Sequence, residues 1–296
     1  MGVNILAIPD LEVLELEAMA NTMRQDIIRM LVSVGSGHAG GPLGMAEVFA
    51  VLYFRILKKD PKNPFWSERD RLILSNGHIC AVSYAAMARA GYFPVEELLT
   101  YRKINSRLQG HPHNRSLPGL ENTGGTLGQG LSQAVGRCIA GRLDGKKYRV
   151  YCVMSDGEHD EGQTWEALMW AGNHKLGNLT TLVDRNNIQI DGHTEDIFPL
   201  EPLKDKYEAI KWHVIEIDGH NVREIVAACE EAQHIYEKPT AIICHTVPGK
   251  GVSYMENNYE WHGKAPTKEQ GEVALAELRA EGDRIQKEML RAKRGF

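Results

Sequence analysis

Short β-prone runs alternating with helical patterns predict an α/β fold: a doubly wound, mostly parallel sheet with helices on both faces. Three observations carry this expectation. Arg71–Leu74, Arg149–Met154, Thr180–Val183, His213–Ile217 and Thr240–Cys244 are short and rich in apolar or β-branched residues. Helical repeats stand between them, such as Leu131, Ala134, Val135, Cys138 and Ile139, or Trp165, Leu168, Met169, Gly172 and Leu176. The polar clusters fall just after a strand or inside a Gly-rich loop, where open parallel sheets bind their ligands. In chain order, Leu16, Met19, Met23, Ile27, Met30 and Leu31 predict one amphipathic helix from about Leu11 to Val34. The Gly-rich link Gly35-Ser-Gly-His-Ala-Gly-Gly41 follows, then a second apolar helix through Phe49 and Leu52. The strand–helix alternation comes next, with right-handed crossovers. From Thr267 the chain is charged and helical through Val273, Leu275, Leu278, Ile285 and Leu290. No repeat or flexible linker interrupts it, so residues 1–296 read as one domain with a helical segment at about 267–294.

Composition excludes several classes. A net charge of -5, from 34 Lys+Arg against 39 Asp+Glu, argues against a dedicated nucleic-acid or anionic-membrane binder. The basic end near Arg291 and Arg294 reads as a solvated or partner-facing helix face. No apolar run approaches membrane-spanning length, and the amino terminus shows no secretory leader. The five cysteines are odd in number and never spaced C-x-x-C, the usage of a reducing compartment. The expectation is a cytoplasmic protein.

The segment richest in chemistry runs from Val150-Tyr-Cys-Val-Met-Ser-Asp-Gly-Glu158 to Val183-Asp-Arg-Asn-Asn-Ile188. Asp156 leaves one strand end, a helix from about Gln163 returns the chain, and Asn186 leaves the next parallel strand. The 28 residues between Gly157 and Asn186 make one βαβ passage. An Asp carboxylate, an Asn amide oxygen and a loop carbonyl at Ile188 thus reach one sheet edge. Three hard oxygens suit Mg²⁺, with Ca²⁺ or Mn²⁺ compatible, its shell completed by water and two diphosphate oxygens. Gly157 lets a diphosphate approach the backbone closely. Taken singly, a strand-end Asp and an Asn-Asn turn are common loop features.

This spacing resembles the signature of the thiamine-diphosphate enzymes, Gly-Asp-Gly followed by a distant Asn, with Ser155 in place of the first Gly. Within that group, Ser36-Gly-His-Ala-Gly-Gly-Pro-Leu-Gly-Met45, Leu74-Ser-Asn-Gly-His78, Gly110-His-Pro112, Leu127-Gly-Gln-Gly130, Asp156 through Gly192 and Trp261-His-Gly263 resemble transketolases, in that family's order. The resemblance implies the family's diphosphate-binding domain, with thiamine diphosphate as cofactor. It implies that His38, His78, His111 and His262 line the substrate channel, His78 and His262 also lying near the diphosphate. Gly128, Asp156, Gly157, Glu161 and Asn186 join them in holding the cofactor, and Asp156, Asn186 and Ile188 hold the metal. Ketol transfer must polarise oxygens and move protons near neutral pH, tasks suited to His. His113 stands where the family places an acid, which bears on sugar specificity. A zinc pair of His111 and His113 lacks further ligands at suitable spacing. Gly35-Ser-Gly-His-Ala-Gly40 matches a dinucleotide fingerprint only formally, because it follows a helix.

The cofactor needs a second protein surface, for its pyrimidine ring. In single-chain transketolases the following domain of the other protomer provides it, and no second alternating unit follows here. The resemblance therefore implies a split enzyme. This chain would be its diphosphate-binding subunit. A separate carboxyl-terminal chain would be its partner, in an assembly with two copies of each. Glu161 would reach toward the partner's activating acid; as an acid at a helix start, it also suits the helix dipole. Alternatives are a relative acting on an unusual ketose, a deoxyxylulose-phosphate-synthase or 2-oxo acid decarboxylase relative, and a noncatalytic cofactor-binding paralogue.

Overall fold

The computed structural model describes residues 8–294. The leader reading concerns the first residues and lies outside the described residues in part. Helix α1 (Asp10–Val34) matches its periodicity, burying Leu16, Met23, Ile27, Met30 and Leu31. It stops at Gly35, whose left-handed φ of 64° lets its N–H reach the Leu31 carbonyl at 2.8 Å. The expected second helix is broken into α2 (Gly40–Gly44), α3 (Ala46–Val51) and a π turn over Leu52–Ile56. Gly44 explains part of the break: a Cβ there would lie 3.0 Å from the Val247 carbonyl oxygen, so the backbone itself docks at this point. Buried Arg24 of α1 ties the corner together, donating to the Leu43 carbonyl at 2.9 Å and to Glu47 at 2.5 Å.

The alternating region forms β1 (Arg71–Leu74), α4 (Cys80–Arg89), α5 (Gln129–Leu143), β2 (Val150–Ser155), α6 (Gly162–Asn173) and β3 (Leu179–Arg185). A two-stranded antiparallel hairpin follows, β4 (Ile188–Gln189) and β5 (Gly192–His193). After it come α7 (Thr194–Ile197), α8 (Leu203–Ala209), β6 (His213–Asp218), α9 (Val222–His234), β7 (Thr240–His245) and α10 (Lys268–Arg294). The main sheet has the order β1-β2-β3-β7-β6, and every pairing in it is parallel.

Both sheet faces are covered, as a doubly wound fold requires. Side chains alternate along each strand. Tyr151, Val153, Leu182, Ile242 and Cys244 pack with α1, α3, α4 and α9. Val150, Cys152, Met154, Val183 and Ile243 pack with α5, α6 and α8. Helix α10 lies on α1, with Gly271 so close that a Cβ would meet Val32 Cγ2 at 2.4 Å. All five cysteines are buried and free of disulfides. Among the described residues no helix is long and apolar enough to cross a membrane.

Candidate functional site

The carboxyl ends of the parallel strands gather the motif residues. His78 follows β1 in a single 3₁₀ turn (Gly77–Ile79), and His38 sits in the link between α1 and α2. His111 comes from the loop before α5, and His262 from the turn after Tyr259–Trp261. Four separate stretches thus meet. The His38 ring centroid lies 5.2 Å from that of His78, 6.1 Å from His111 and 5.7 Å from His262, and His78 to His262 is 5.1 Å. Together they line a cavity of about 290 Å³, whose other wall includes Ser155, Gly157, Asn186, Ile188 and Gln189. Gly77 makes the approach possible: a Cβ there would lie 2.8 Å from the Gly125 backbone nitrogen.

Burial is the main force on these imidazoles. It lowers His38 to about 4, with the neighbouring His262 and Arg102 adding to the effect. His78 is held well below its ordinary value by burial and then by the other histidines. His111 and His262 are lowered too, again chiefly by burial. The cluster is therefore neutral at pH 7, each ring offering one donor and one acceptor. His38 Nδ1 is buried and has no hydrogen-bond partner.

Asp156 lies at the end of β2, almost fully buried. Its Oδ2 accepts from Arg185 Nη1 at 3.1 Å, the Asn187 N–H at 2.7 Å and Thr194 Oγ1 at 3.4 Å. Oδ1 accepts only the Gly157 N–H, at 2.8 Å, which leaves it room for a further partner. Burial pushes this carboxyl up, opposed by Arg185 and the two amides. The Asn186 amide is oriented by its network: Nδ2 donates to Asp184 Oδ2 at 2.8 Å, and Oδ1 accepts the Ile188 N–H at 3.0 Å. Asp184, itself raised to about 7 by burial, is braced by Thr246 Oγ1 at 2.5 Å.

Asp156, Gly128 and Glu161 are not among the residues that line the cavity. The Gly128 N–H is committed to Glu158 Oε1 at 2.7 Å, while Gly125 and Leu127 line the cavity beside it. Glu161 is exposed at the N-cap of α6 and makes no side-chain cap bond, so helix capping does not account for it. Sequence reasoning did not single out Glu158, Asp184, Arg185 or Arg102. Glu158 is fully buried, accepts from Ser75 and the Gly128 and Ser155 amides, and is raised to about 7 by burial. Position after Asp-Gly was its only sequence signal; nothing along the chain announces an acid's burial.

A strand-end carboxylate with one open oxygen, an oriented amide, glycine-lined backbone and an unpartnered imidazole fit a cation-bound diphosphate cofactor. The family profile described as "Transketolase, thiamine diphosphate binding domain" matches residues 16–282. The chain belongs to the transketolase family. It is 46% identical to a 6-deoxy-6-sulfo-D-fructose transketolase subunit of Clostridium sp. (strain MSTE9), over 91% of this chain and 98% of that one. It is 40% identical to an apulose-4-phosphate transketolase subunit of Actinobacillus succinogenes, over 90% and 97%. Solved transketolases from Campylobacter jejuni and Leishmania mexicana superpose with TM-scores of 0.84 and 0.83, at 33% and 32% identity. Each match covers 94% of this chain but only 48% and 46% of those longer transketolases. The site described above lies within the residues that match the family's thiamine diphosphate binding domain.

Proposed function

We propose that this chain is the diphosphate- and metal-binding subunit of a two-chain transketolase that moves a two-carbon ketol unit from a ketose to an aldose. The observation that carries the proposal is that four imidazoles line one cavity together with Ser155, Gly157, Asn186 and Ile188. Thiamine diphosphate, when bound, supplies the nucleophilic carbon that ketol transfer requires. Asp156, Asn186 and the Ile188 carbonyl would hold its divalent cation, Mg²⁺ by hardness and ligand type. Gly157 keeps the adjoining backbone open to the diphosphate, with His78 and His262 beside it. His38 and His111 hold the sugar hydroxyls; as neutral imidazoles they accept a hydroxyl proton as the carbon–carbon bond breaks and return it to the acceptor.

The partner chain would supply the pyrimidine-binding surface. Two relatives that match almost end to end are named as subunits, and exposed Glu161 is free to meet a partner. Two copies of each chain would complete two cofactor sites. Five buried, unpaired cysteines suit assembly in the cytoplasm. A second reading, transfer from an unusual ketose, is favoured by the substrates in those relatives' names. The test is calorimetric titration of thiamine diphosphate with Mg²⁺ into this chain, alone and with the partner chain. Binding that tightens only with the partner, together with ketol transfer, supports the split enzyme. Full turnover by this chain alone refutes the split. No binding and no turnover with the partner present refutes the enzymatic reading.

A further inference from the structure

One imidazole outside the cavity has both of its ring nitrogens engaged. His220 lies in the turn between β6 and α9. Its Nε2 accepts the Val247 N–H at 2.8 Å, so that nitrogen carries no proton. Nδ1 stands 3.1 Å from Glu47 Oε2 and is therefore the donor of that pair. Glu47 suits the acceptor's part. It is buried and also accepts from Arg24; burial raises its carboxyl, but Arg24 and then His220 hold it down, at about 2. One tautomer of His220 satisfies both partners.

The turn is seated against the exit of the neighbouring strand. Asp218 of β6 pairs with His245 of β7, and the Gly219 N–H donates to the His245 carbonyl at 2.9 Å. A Cβ on Gly219 would fall 2.5 Å from Thr246 Cγ2, so glycine brings the turn onto the first residue after β7. Val247 is then held on two sides, its N–H by His220 and its carbonyl oxygen by the close pass of Gly44. Thr246, its neighbour in the chain, donates from Oγ1 to Asp184 Oδ1 at 2.5 Å. Asp184 Oδ2 accepts Asn186 Nδ2 at 2.8 Å. Asn186 Oδ1 holds the Ile188 N–H at 3.0 Å and keeps a lone pair for one more partner. Contacts therefore run from Arg24 through Glu47, His220 and the Thr246–Val247 peptide to Asp184 and Asn186, a residue of the cavity wall. The end of the line has two discrete arrangements. An Asn186 amide turned end for end would present its NH₂, a donor, where a cation needs oxygen, and the Asp184 carboxylate, which accepts, keeps the NH₂ on its own side.

We infer that His220 is a positioning residue for the proposed cation site: by holding the Val247 amide it keeps Thr246 on Asp184, and Asp184 keeps the oxygen end of the Asn186 amide available to the cation. The inference rests on the reading of Asn186 as a metal ligand. It adds a residue that does not line the cavity and acts only through others.

Three variants separate the links. His220→Asn keeps a donor for Glu47 but has no group that reaches the Val247 N–H. His220→Gln carries an acceptor to the place of Nε2, and Thr246→Val removes the hydroxyl while keeping the side-chain shape. Mg²⁺ affinity is titrated by calorimetry at saturating thiamine diphosphate in the assembled two-chain enzyme. The Asn186 NH₂ signals, assigned by their loss in Asn186→Asp, are followed by NMR in the full chain without metal. Thr246→Val is expected to weaken Mg²⁺ about 10-fold and His220→Asn about 3- to 10-fold, with His220→Gln near wild type. Both weakened variants are expected to move the Asn186 NH₂ signals. His220→Asn combined with Thr246→Val is expected to bind Mg²⁺ no more weakly than Thr246→Val alone, because both act through one link. Additive losses, or a loss in His220→Gln equal to that in His220→Asn, overturn the inference. Asn186 signals that neither variant moves overturn it too, since a purely structural His220 lowers stability without turning that amide. Signals that move while Mg²⁺ affinity stays at the wild-type value overturn instead the reading of Asn186 as a metal ligand.

Discussion

Removing the Arg185 side chain tests the electrostatic logic beneath the candidate metal site. Arg185 and Asp156 form an ion pair at 3.1 Å, with side chains 3% and 1% exposed. Arg185 also meets Glu195 at 2.5 Å and Glu201 at 2.9 Å, but these acids are 38% and 51% exposed and each pair contributes about 0–1 kcal/mol. The main cost of Arg185→Met is therefore a carboxylate left buried without its cation, typically about 3–5 kcal/mol. The Asn187 and Gly157 amides still donate to it, which places the expected loss toward the lower figure. Burial already pushes Asp156 up, so losing Arg185 makes proton uptake easier and the penalty larger at high pH than at low pH. Urea unfolding at pH 6 and pH 8 measures this directly, provided the slope m is unchanged. Asp156→Asn added to Arg185→Met removes the stranded charge and is expected to recover most of the loss. Adding Mg²⁺ with thiamine diphosphate is expected to raise the midpoint of Arg185→Met more than that of wild type. A loss below about 1 kcal/mol at pH 8, or a double variant no better than the single, would show that Arg185 does not hold Asp156 in its charged form.

Glu158 should make an opposite pH signature to the histidines. Its folded pKa of about 7, raised by burial, means that its contribution is complete below the unfolded value of 4.5 and fades as pH rises through 7. Glu158→Gln is expected to remove that slope, worth roughly 3 kcal/mol across the window, in melting curves from pH 4.5 to 8; an unchanged slope would contradict it. His38, lowered to about 4, contributes stability that is complete above 6.5 and lost as pH falls toward 4. Thermal midpoints should fall over that range in wild type and fall less in His38→Gln, and parallel curves would refute the assignment. Gly77→Ala places a Cβ against backbone atoms of Gly124 and Gly125 that cannot swing aside. It should cost about 1–3 kcal/mol in urea unfolding and weaken thiamine diphosphate binding by displacing His78; near-wild-type values in both assays would sink the close-packing argument.

The strands were legible because buried parallel strands carry continuous apolar runs between helical repeats. The expected Arg71–Leu74 matches its strand to the residue; two of the other runs differ from the structure by one residue at the carboxyl end, and two differ by one or two residues at both ends. The α1 pattern was equally plain, since one face of 25 residues packs inward. The region after the Gly-rich link was not, because there the backbone rather than a side-chain stripe makes the contact, at Gly44 against Val247. Two-residue β4 and β5 carry no period at all.

By itself, the order of residues determined the α/β alternation and which His, Asp and Asn stand at strand ends and in Gly-rich loops, because these are local properties of spacing and residue type. Only the tertiary structure decided that four histidines from distant loops meet around His38 within 6.1 Å, that Glu158 and Asp184 are buried acids, that Arg185, Asn187 and Thr194 share one oxygen of Asp156, and that Arg102 lines a cavity without an acid. Charge state and ligand capacity depend on desolvation and on partners far away in sequence, and neither exists until the chain has closed around them.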